Sequence, residues 1–452
     1  MTAEQETLVI YPTGVAKEDL APEQRCPNVG CTPSDAQLVQ AAVNDLGLRG
    51  VDGTVLLKAT NLAGVPTQFN FGLFGPYYEN VCANGPIPVG VCFSSPYVSG
   101  QSGALTFLGE TIDGHQTTIY GGYFALFFAR DALFTVKNIK FTDTYLSSIA
   151  ASKVNGMIVQ GNTILRSHYS GAGNTGSITV GKFAHFEAED TRGHVEYKDN
   201  YINAEGGLGY HNGIMILNTA VTSEVKDNTI VNMSGWGIRN WFFRDDQVIK
   251  DNVVIVYNSP TLGEWSDALE VVCDRSTGAS VAIVKDNVLT GDSDILSIYS
   301  DVPKTGEIES CPIVNSEFKD NTIIMNNTDS AGGRLQPNAG VWVMSIRQHD
   351  GSTGLVANNI FKDNTFVGTN EFAYLFGFSE YGDASNAEDV YGNVIKDNNY
   401  SGFTLALEPD LFYGLMPAHV HFGLSTHDNY YQGKVGEVVD NTGTNNTVVL
   451  LP

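Results

Sequence analysis

A short phrase recurs down this chain and constrains its fold more than any other feature: Val-Lys-Asp-Asn-Thr-Ile, with small variations. Its asparagine falls at Asn138, Asn162, Asn200, Asn228, Asn252, Asn287, Asn321, Asn364 and Asn398, and a degenerate copy ends at Asn429. Successive gaps run from 24 to 43 residues. Self-similarity at such a period describes a stack of like units rather than a globule with one centre. Each copy is a β-branched or aromatic residue, a polar pair, the Asn and a second β-rich run, which reads as strand, sharp bend, strand. Asn tolerates the left-handed backbone that a tight bend needs. Stacked Asn side chains can also hydrogen-bond to one another along the stacking axis. The apolar spacing of three and four that marks a helical repeat is absent.

With Asn228 as origin, Thr229, Ile230 and Val231 form one short strand, Gly237 to Phe243 a second, and Gln247 to Lys250 a third that ends at the next Asn. Each coil therefore has three strands, neighbouring coils lie about 4.8 Å apart, and insertions at the bends account for the uneven gaps. Asp35 to Val43 reads as a short amphipathic helix, and Gly53 to Leu57 as a first strand. The arrangement resembles the right-handed parallel β-helix of the pectate-lyase superfamily, over roughly residues 50–430. That resemblance implies an all-β solenoid of about ten or more three-strand coils, opened by a helix that covers the exposed end of the stack. The core of a solenoid grows with its coils, so the expectation is one elongated domain: a cap over 1–50, coils over 51–430 and a C-terminal tail over 431–452.

Charge and composition narrow the partners. The formal net charge of −25 argues against nucleic acid and against an anionic membrane surface. No run of about 18 apolar residues exists to span a bilayer. Residues 1–7 are polar and show no signal-peptide pattern, as the mature form of a secreted protein would. Six cysteines fall into near pairs, Cys26 with Cys31, Cys82 with Cys92, and Cys273 with Cys311. Disulfides in an oxidising compartment and free buried thiols are both open, and the even count of near neighbours favours the first. Sequons stand at Asn232, Asn326, Asn399 and Asn445, used only in a eukaryotic secretory host.

The third strand carries a lysine column, Lys137, Lys198, Lys226, Lys250, Lys285, Lys319, Lys362 and Lys396, beside an aspartate column from Asp199 to Asp397. Alternating opposite charges read as a solvated face that discourages sideways aggregation, in preference to a cationic stripe for an acidic polymer. The second strand differs. Aligned on Ile214, Ile238, Leu269, Leu296, Val341 and Ala373 as inward residues, its outward neighbours are Met215, Arg239, Glu270, Ser297, Trp342 and Tyr374. Two residues on come Leu217, Trp241, Val272, Tyr299, Met344 and Phe376. An outward face this aromatic is expected to be a ligand groove; the alternative is a second small core beneath the insertions at 167–194, 257–268, 301–317 and 327–339. In the groove reading Trp241, Trp342, Tyr374, Phe376, Met215, Met344 and Lys182 bind substrate.

Several groups around that face have catalytic character. Arg239 and Glu270 are lateral neighbours, either a rigid acid/base pair or an ordinary cross-strand salt bridge. Asp274 and Asp301 share an offset on neighbouring coils, and two carboxylates about 5 Å apart do not both ionise cheaply. They serve as a glycosidase pair, or they join Asp245 and Asp246 around Ca²⁺, or they are solvated turn residues. The cofactor is thus none or Ca²⁺. His211, at the entry to a second strand, is placed as a general base, and Tyr299 as a proton-transfer group. His419, His421 and His427 would suit a metal, though two His on one strand face are more often packed. His168, His185 and His194 lie in the long early loop, and Arg347, His349 and Asp350 end a second strand.

In the family resembled, lyases abstract a sugar C5 proton with Arg or Lys while Ca²⁺ or Arg neutralises the carboxylate. Only Arg239 and Lys182 fall on the second-strand face here, and the Gly-His-Gly and Arg-Ile-Lys signatures of polygalacturonase-like hydrolases are absent. The leading expectation is a secreted carbohydrate-active enzyme that cleaves glycosidic bonds by hydrolysis or elimination, with aromatic residues stacked on sugar faces and carboxylates in acid/base roles. Two alternatives stand beside it: an enzyme acting on a hydrophobic small molecule in a loop-covered pocket, and a non-catalytic surface-binding module. An open trench favours a polymer, and an enclosed pocket a small molecule.

Overall fold

The structure, a computed structural model, describes residues 6–12, 15–16, 35–49, 51–71, 91–93, 104–122, 124–128, 132–144, 146–152, 154–167, 176–181, 192–205, 211–242, 247–257, 267–274, 281–291, 294–301, 312–325, 339–346, 355–368, 371–372, 374–381, 390–402, 404–405, 416–424 and 426–452. Its chain divides into two compact units, Met1–His211 and Asn212–Pro452, each built as a right-handed parallel β-helix.

In the first unit, strands Glu6–Tyr11, Gly53–Leu57, Leu105–Gly109, Phe134–Lys137, Asn155–Gln160 and Arg192–Lys198 stack in parallel as one sheet. Val91–Phe93, Phe124–Phe128, Ser147–Ala151 and Ile178–Gly181 make a second. A third runs from Phe69–Asn70 through Thr118–Tyr120, Lys140–Thr142 and Thr163–Leu165 to Tyr201–Asn203. The predicted helix is present and longer than its apolar pattern suggested, Asp35–Arg49. It buries Leu38, Val39, Ala42, Val43 and Leu46. A Cβ on Gly53 would meet the Leu46 side chain at 2.6 Å, so the glycine lets the helix close on the first predicted strand.

In the second unit the coil around Asn228 has the three strands expected, Thr229–Met233, Ile238–Phe242 and Gln247–Lys250. Its second-strand sheet continues through Leu269–Asp274, Leu296–Asp301, Ala339–Ile346, Tyr374–Tyr381 and Ala418–Phe422 to Val439–Asn441. Its third-strand sheet ends on Thr447–Leu451, paired in parallel with Tyr430–Lys434. Two segments expected to lie outside the coils, 1–50 and 431–452, therefore contribute coil strands. Both lack the full repeat phrase, which is why the pattern missed them.

The bend chemistry corrects one detail. The left-handed residue is the aspartate before the Asn: Asp199, Asp227, Asp251, Asp286, Asp320, Asp363 and Asp397 all have φ of 55–57°. The Asn that follows makes the ladder and is buried at every step except Asn398, which is half-buried. Asn228, Asn252, Asn287, Asn321 and Asn364 each donate a backbone N–H and an Nδ2–H to the Oδ1 of the next Asn, at 2.9–3.1 Å. Asn138 is out of phase by one: it takes the left-handed position itself, and Ile139 N–H donates to Asn162 Oδ1. Asn429 is out of phase by a whole side. It belongs to a second ladder, Ser316, Asn359, Asn393, Asn429, Asn446. That ladder follows an extra short sheet, Pro312–Val314, Leu355–Ala357, Val390–Tyr391 and Thr426–His427, so these later coils gain a fourth side.

The lysine column makes local ion pairs, as the solvated-face reading expects: Lys226 and Lys250 with Glu224 at 3.1 Å, Lys319 with Glu317 at 3.3 Å and Lys362 with Asp363 at 3.0 Å. Such exposed pairs contribute little to stability. Of the cysteines, Cys26, Cys31, Cys82 and Cys311 lie outside the described residues, Cys273 is wholly buried, and no described cysteine is a free thiol. No helix among the described residues is long and apolar enough to cross a membrane.

The predicted inward column holds for five coils, with Ile214, Ile238, Leu269, Leu296 and Val341 in line, but a register shift between Ile216 and Thr219 takes Leu217, which is buried, out of its predicted pairing with Trp241. The column slips at the sixth. Val341 pairs with Phe376, and Trp342 with Gly377. Phe376 is therefore a core residue, packed edge-on against Phe366 at 4.9 Å and Phe361 at 6.1 Å, and not a substrate contact. The Trp342 indole lies over Gly377, in the space a Cβ would need. Gly377→Val is expected to cost about 1–3 kcal/mol by overpacking and to shift tryptophan fluorescence; unchanged emission and stability would contradict this placement.

Candidate functional site

The second-strand face of the Asn212–Pro452 unit brings several expected residues together. Met215, Arg239, Glu270, Ser297 and Trp342 form one row, and Trp241, Val272, Tyr299 and Met344 another. The expected exposed groove is not found there. Met215, Trp342, Met344, Tyr374 and Tyr299 are all buried, and Arg239 and Glu270 are only 8% and 3% exposed. Val272, Tyr299, Ala339, Trp342, Met344, Tyr374 and Ala418 pack as a second apolar cluster. Tyr374 joins it from the position opposite Ala339 and tilts against Trp342 at 5.6 Å. Large apolar side chains side by side on a sheet gain more from being covered than from facing water, which is the alternative the sequence left open.

Inside that covered face is an ionic pair. Arg239 Nε lies 2.8 Å from Glu270 Oε2, and Arg239 Nη2 donates to Oε1 at 3.2 Å. The guanidinium also sits 4.0 Å over the Trp236 ring, a cation–π contact that suits a desolvated arginine. The predicted pairing of these residues is thus met, with two oxygens engaged. A buried pair is weak evidence for stability because desolvation offsets most of its attraction. Its presence here motivates a functional reading.

Three further polar residues complete the cluster: Asp267, Asp294 and Ser297, each at most 1% exposed. Sequence reasoning passed over both aspartates. Their signal was available, since Asp267 stands three residues before Glu270 and Asp294 three before Ser297, on coils that pair residue for residue. The bend into the second strand turns both toward the outward row. Asp294 Oδ1 accepts from the Ala339 N–H at 3.0 Å. Both carboxyl oxygens of Asp267, Ser297 Oγ and Tyr299 OH have no hydrogen-bond partner of good geometry among the described residues.

Electrostatics separate these carboxyls. Burial pushes Asp267 well above the ordinary carboxylate range, and the charges of Glu270 and Asp294 push it further; the nearby Ser297 hydroxyl and Arg239 oppose them. The same burial, with Asp267, Asp294 and Glu270 as neighbours, raises the Tyr299 phenol well above its usual value. These shifts move Asp267 toward the neutral acid beside the Arg239–Glu270 ion pair, and Tyr299 toward a neutral donor. A protonated carboxyl next to an ionised one is the division of labour that acid/base catalysis requires.

The remaining candidates are less connected. Asp274 and Asp301 pair across neighbouring coils as expected, but their side chains lie outside the description, as does that of Trp241. Asp245, Asp246, Lys182, His168, His185, Arg347, His349 and Asp350 fall outside the described residues. His211 belongs to the Met1–His211 unit, where it is buried with Nδ1 3.0 Å from the Ser167 carbonyl oxygen. The three late histidines do not converge. His419 Nδ1 accepts from Val438 N–H at 3.0 Å, His421 Nδ1 lies 2.9 Å from Asp440, and His427 Nδ1 lies 2.8 Å from Asp428. Burial holds His419 below the usual imidazole value, consistent with a neutral acceptor ring. Among the described residues no group of three His, Cys, Asp or Glu side chains is placed to hold a metal.

No family model and no curated protein matches the chain. Solved structures do. The tailspike protein of E. coli bacteriophage HK620 matches with a TM-score of 0.55 at 11% identity, over 94% of this chain and 76% of that one. The same tailspike in complex with a pentasaccharide matches at 0.53 and 11%, over 94% and 75%. The A-module of the Azotobacter vinelandii mannuronan C-5 epimerase AlgE4 aligns with 15% identity over 86% of this chain and 95% of that one, at a TM-score of 0.38. At these identities the likeness to the tailspike is one of fold.

Proposed function

We propose that the chain is a carbohydrate-active enzyme that cleaves glycosidic bonds at the Asp267–Glu270–Asp294 cluster. The observation that carries this reading is the buried cluster itself, in which Asp267, pushed up toward the neutral acid by burial and by Glu270 and Asp294, stands beside the Arg239–Glu270 ion pair. Asp267 donates a proton to the departing sugar oxygen. Glu270 faces the positive charge that develops on the ring, and Asp294 receives the proton of the attacking group. Ser297 and Tyr299 offer hydroxyls at the same place for a substrate rich in hydroxyls. The fold supports the reading only loosely, since one scaffold hosts many chemistries; the HK620 tailspike binds a pentasaccharide. An extracellular setting with disulfides fits the cysteine pairs, and Ca²⁺ at the aspartate bends is part of the same proposal.

A glycan-array and reducing-end screen, with and without EDTA, tests it. Wild-type protein is expected to release reducing ends from at least one glycan, and Glu270→Gln to lower that rate by about 10²–10⁴-fold. Equal activity in the variant would remove Glu270 from the chemistry.

The burial of Met215, Trp342, Met344 and Tyr374 favours a second reading, an enclosed pocket for a hydrophobic small molecule. Activity on no glycan, together with retention of an apolar ligand by wild type and its loss in Trp342→Ala, would support that reading instead.

A further inference from the structure

We infer that Trp236 is a positioning residue, whose indole face holds the Arg239 guanidinium in place against Glu270. The inference rests on the glycosidic-cleavage reading for the reaction that this pair serves. A planar guanidinium has an edge and a face, and both are engaged here. Its edge meets the carboxylate, with Nε 2.8 Å from Glu270 Oε2 and Nη2 donating to Oε1 at 3.2 Å. Its face meets the indole, with the guanidinium carbon 4.0 Å from the ring centroid of Trp236. A bidentate fork fixes the direction of the group within its plane, and a stacked ring fixes the tilt of that plane. Neither contact alone would hold so long a side chain in one geometry.

Trp236 is itself placed by backbone hydrogen bonds on two coils. Its N–H donates to Asn212 Oδ1 at 2.9 Å, and its C=O accepts from Gly213 N–H at 2.9 Å. On the other side, the N–H of Gly237 donates to the Asp267 carbonyl at 3.0 Å. Ile238 pairs with Leu269, so Trp236 and Asp267, each two residues earlier, hold the same offset on adjacent coils. The ring therefore stands in the row that carries the proposed acid, and it covers the cation three residues further on. Asn212 is wholly buried, and Trp236 is half-buried. The ring keeps water from the guanidinium face it covers, and cation–π attraction is stronger for a desolvated cation.

The consequence for the chemistry runs through Arg239. Burial, Glu270 and Asp294 push Asp267 up, and Arg239 opposes them. The place of the guanidinium thus bears on both the proposed proton donor and the carboxylate beside it. A shift of about 1 Å in a reacting group costs on the order of 10²-fold in rate. Trp236 touches neither sugar nor proton in this role, so its loss lowers kcat and leaves KM unchanged.

The test changes the ring and reads two signals. The variants are Trp236→Phe, Trp236→Leu and a series with mono-, di- and tetrafluorinated tryptophan at position 236. Fluorine withdraws charge from the indole face and leaves its size nearly unchanged, so the series separates attraction from packing and does not depend on the folding of the leucine variant. The first signal is solvent exchange of the Arg239 Nε–H in nitrogen-labelled protein, assigned by its loss in Arg239→Lys. The second is kcat and KM on the glycan that the wild type cleaves. Exchange is expected to be about 10-fold faster in Trp236→Leu, intermediate in Trp236→Phe, and faster at each step of fluorination. In the same order kcat is expected to fall, by about 10-fold in Trp236→Leu, at constant KM. Exchange and kcat that do not respond to fluorination would overturn the inference. A change confined to KM would overturn it too, because that marks a sugar contact. Exchange that follows the ring while the wild type cleaves no glycan would support the placement of Arg239 by Trp236 and overturn glycosidic cleavage instead.

Discussion

Asp267→Asn is expected to abolish glycan cleavage and at the same time to make the protein more stable at neutral pH. The first effect follows from the loss of the proton donor, worth about 10²–10⁴-fold in rate. The second follows from linkage. Asp267 is raised in the folded protein by burial and by Glu270 and Asp294, above an ordinary value of 3.8. Between 3.8 and the folded value, the folded protein holds one more proton at this site than the unfolded chain. Stability then falls as pH rises, by about 1.4 kcal/mol per pH unit across that window. Asparagine keeps the shape of the neutral acid and does not titrate. The stability difference between variant and wild type should therefore grow from about pH 4 upward, as read by urea denaturation at several pH values. A purely structural aspartate would give the reverse, a variant less stable at all pH. A group that costs stability and confers activity is what a catalytic site is expected to contain.

Asn321→Ala is expected to be the most destabilising single change in the ladder sheet. Asn321 is buried. Its Oδ1 accepts from Asn287 N–H at 3.1 Å and from Asn287 Nδ2 at 2.9 Å, and its Nδ2 donates to the Val284 carbonyl and to Asn364 Oδ1, each at 3.0 Å. Alanine removes the side chain and leaves a buried backbone N–H and a buried carbonyl without partners, at about 1–3 kcal/mol each. A total loss of about 3–5 kcal/mol is expected on that basis. Serine should lose less, because the second ladder already holds one: Ser316 Oγ accepts from Ala282 N–H at 2.9 Å, and its own N–H donates to Asn359 Oδ1 at 2.9 Å. Chemical denaturation of both variants checks the order; Asn321→Ser as costly as Asn321→Ala would show that the cost lies elsewhere than in the lost acceptor.

The fold was legible because the Asn bend is both a conformational and a hydrogen-bonding requirement, and each coil repeats it. Phase was less legible. Asn138 and Asn429 look like ladder residues in one dimension, yet one sits at the left-handed step and the other in a different ladder. Both bends are written with the same few residue types. The site was legible as far as lateral register allows: Arg239 beside Glu270, and Tyr299 beside Met344. Register fails at the sixth coil, where Phe376 and Tyr374 are displaced from their predicted rows. Asp267 and Asp294 were missed because they precede the strand, where period-two alternation no longer states which side a residue faces. Exposure was not legible at all. An aromatic outward row reads the same whether water or other parts of the chain meet it, and here the row is buried.

The account turns on one proton. Infrared difference spectra of wild type against Asp267→Asn at neutral pH report it directly. A carboxylic-acid carbonyl band present in wild type and absent from the variant is the predicted result. A difference spectrum that shows only carboxylate bands would mean that Asp267 is ionised in the folded protein, and would contradict the assignment of a neutral acid beside the Arg239–Glu270 pair.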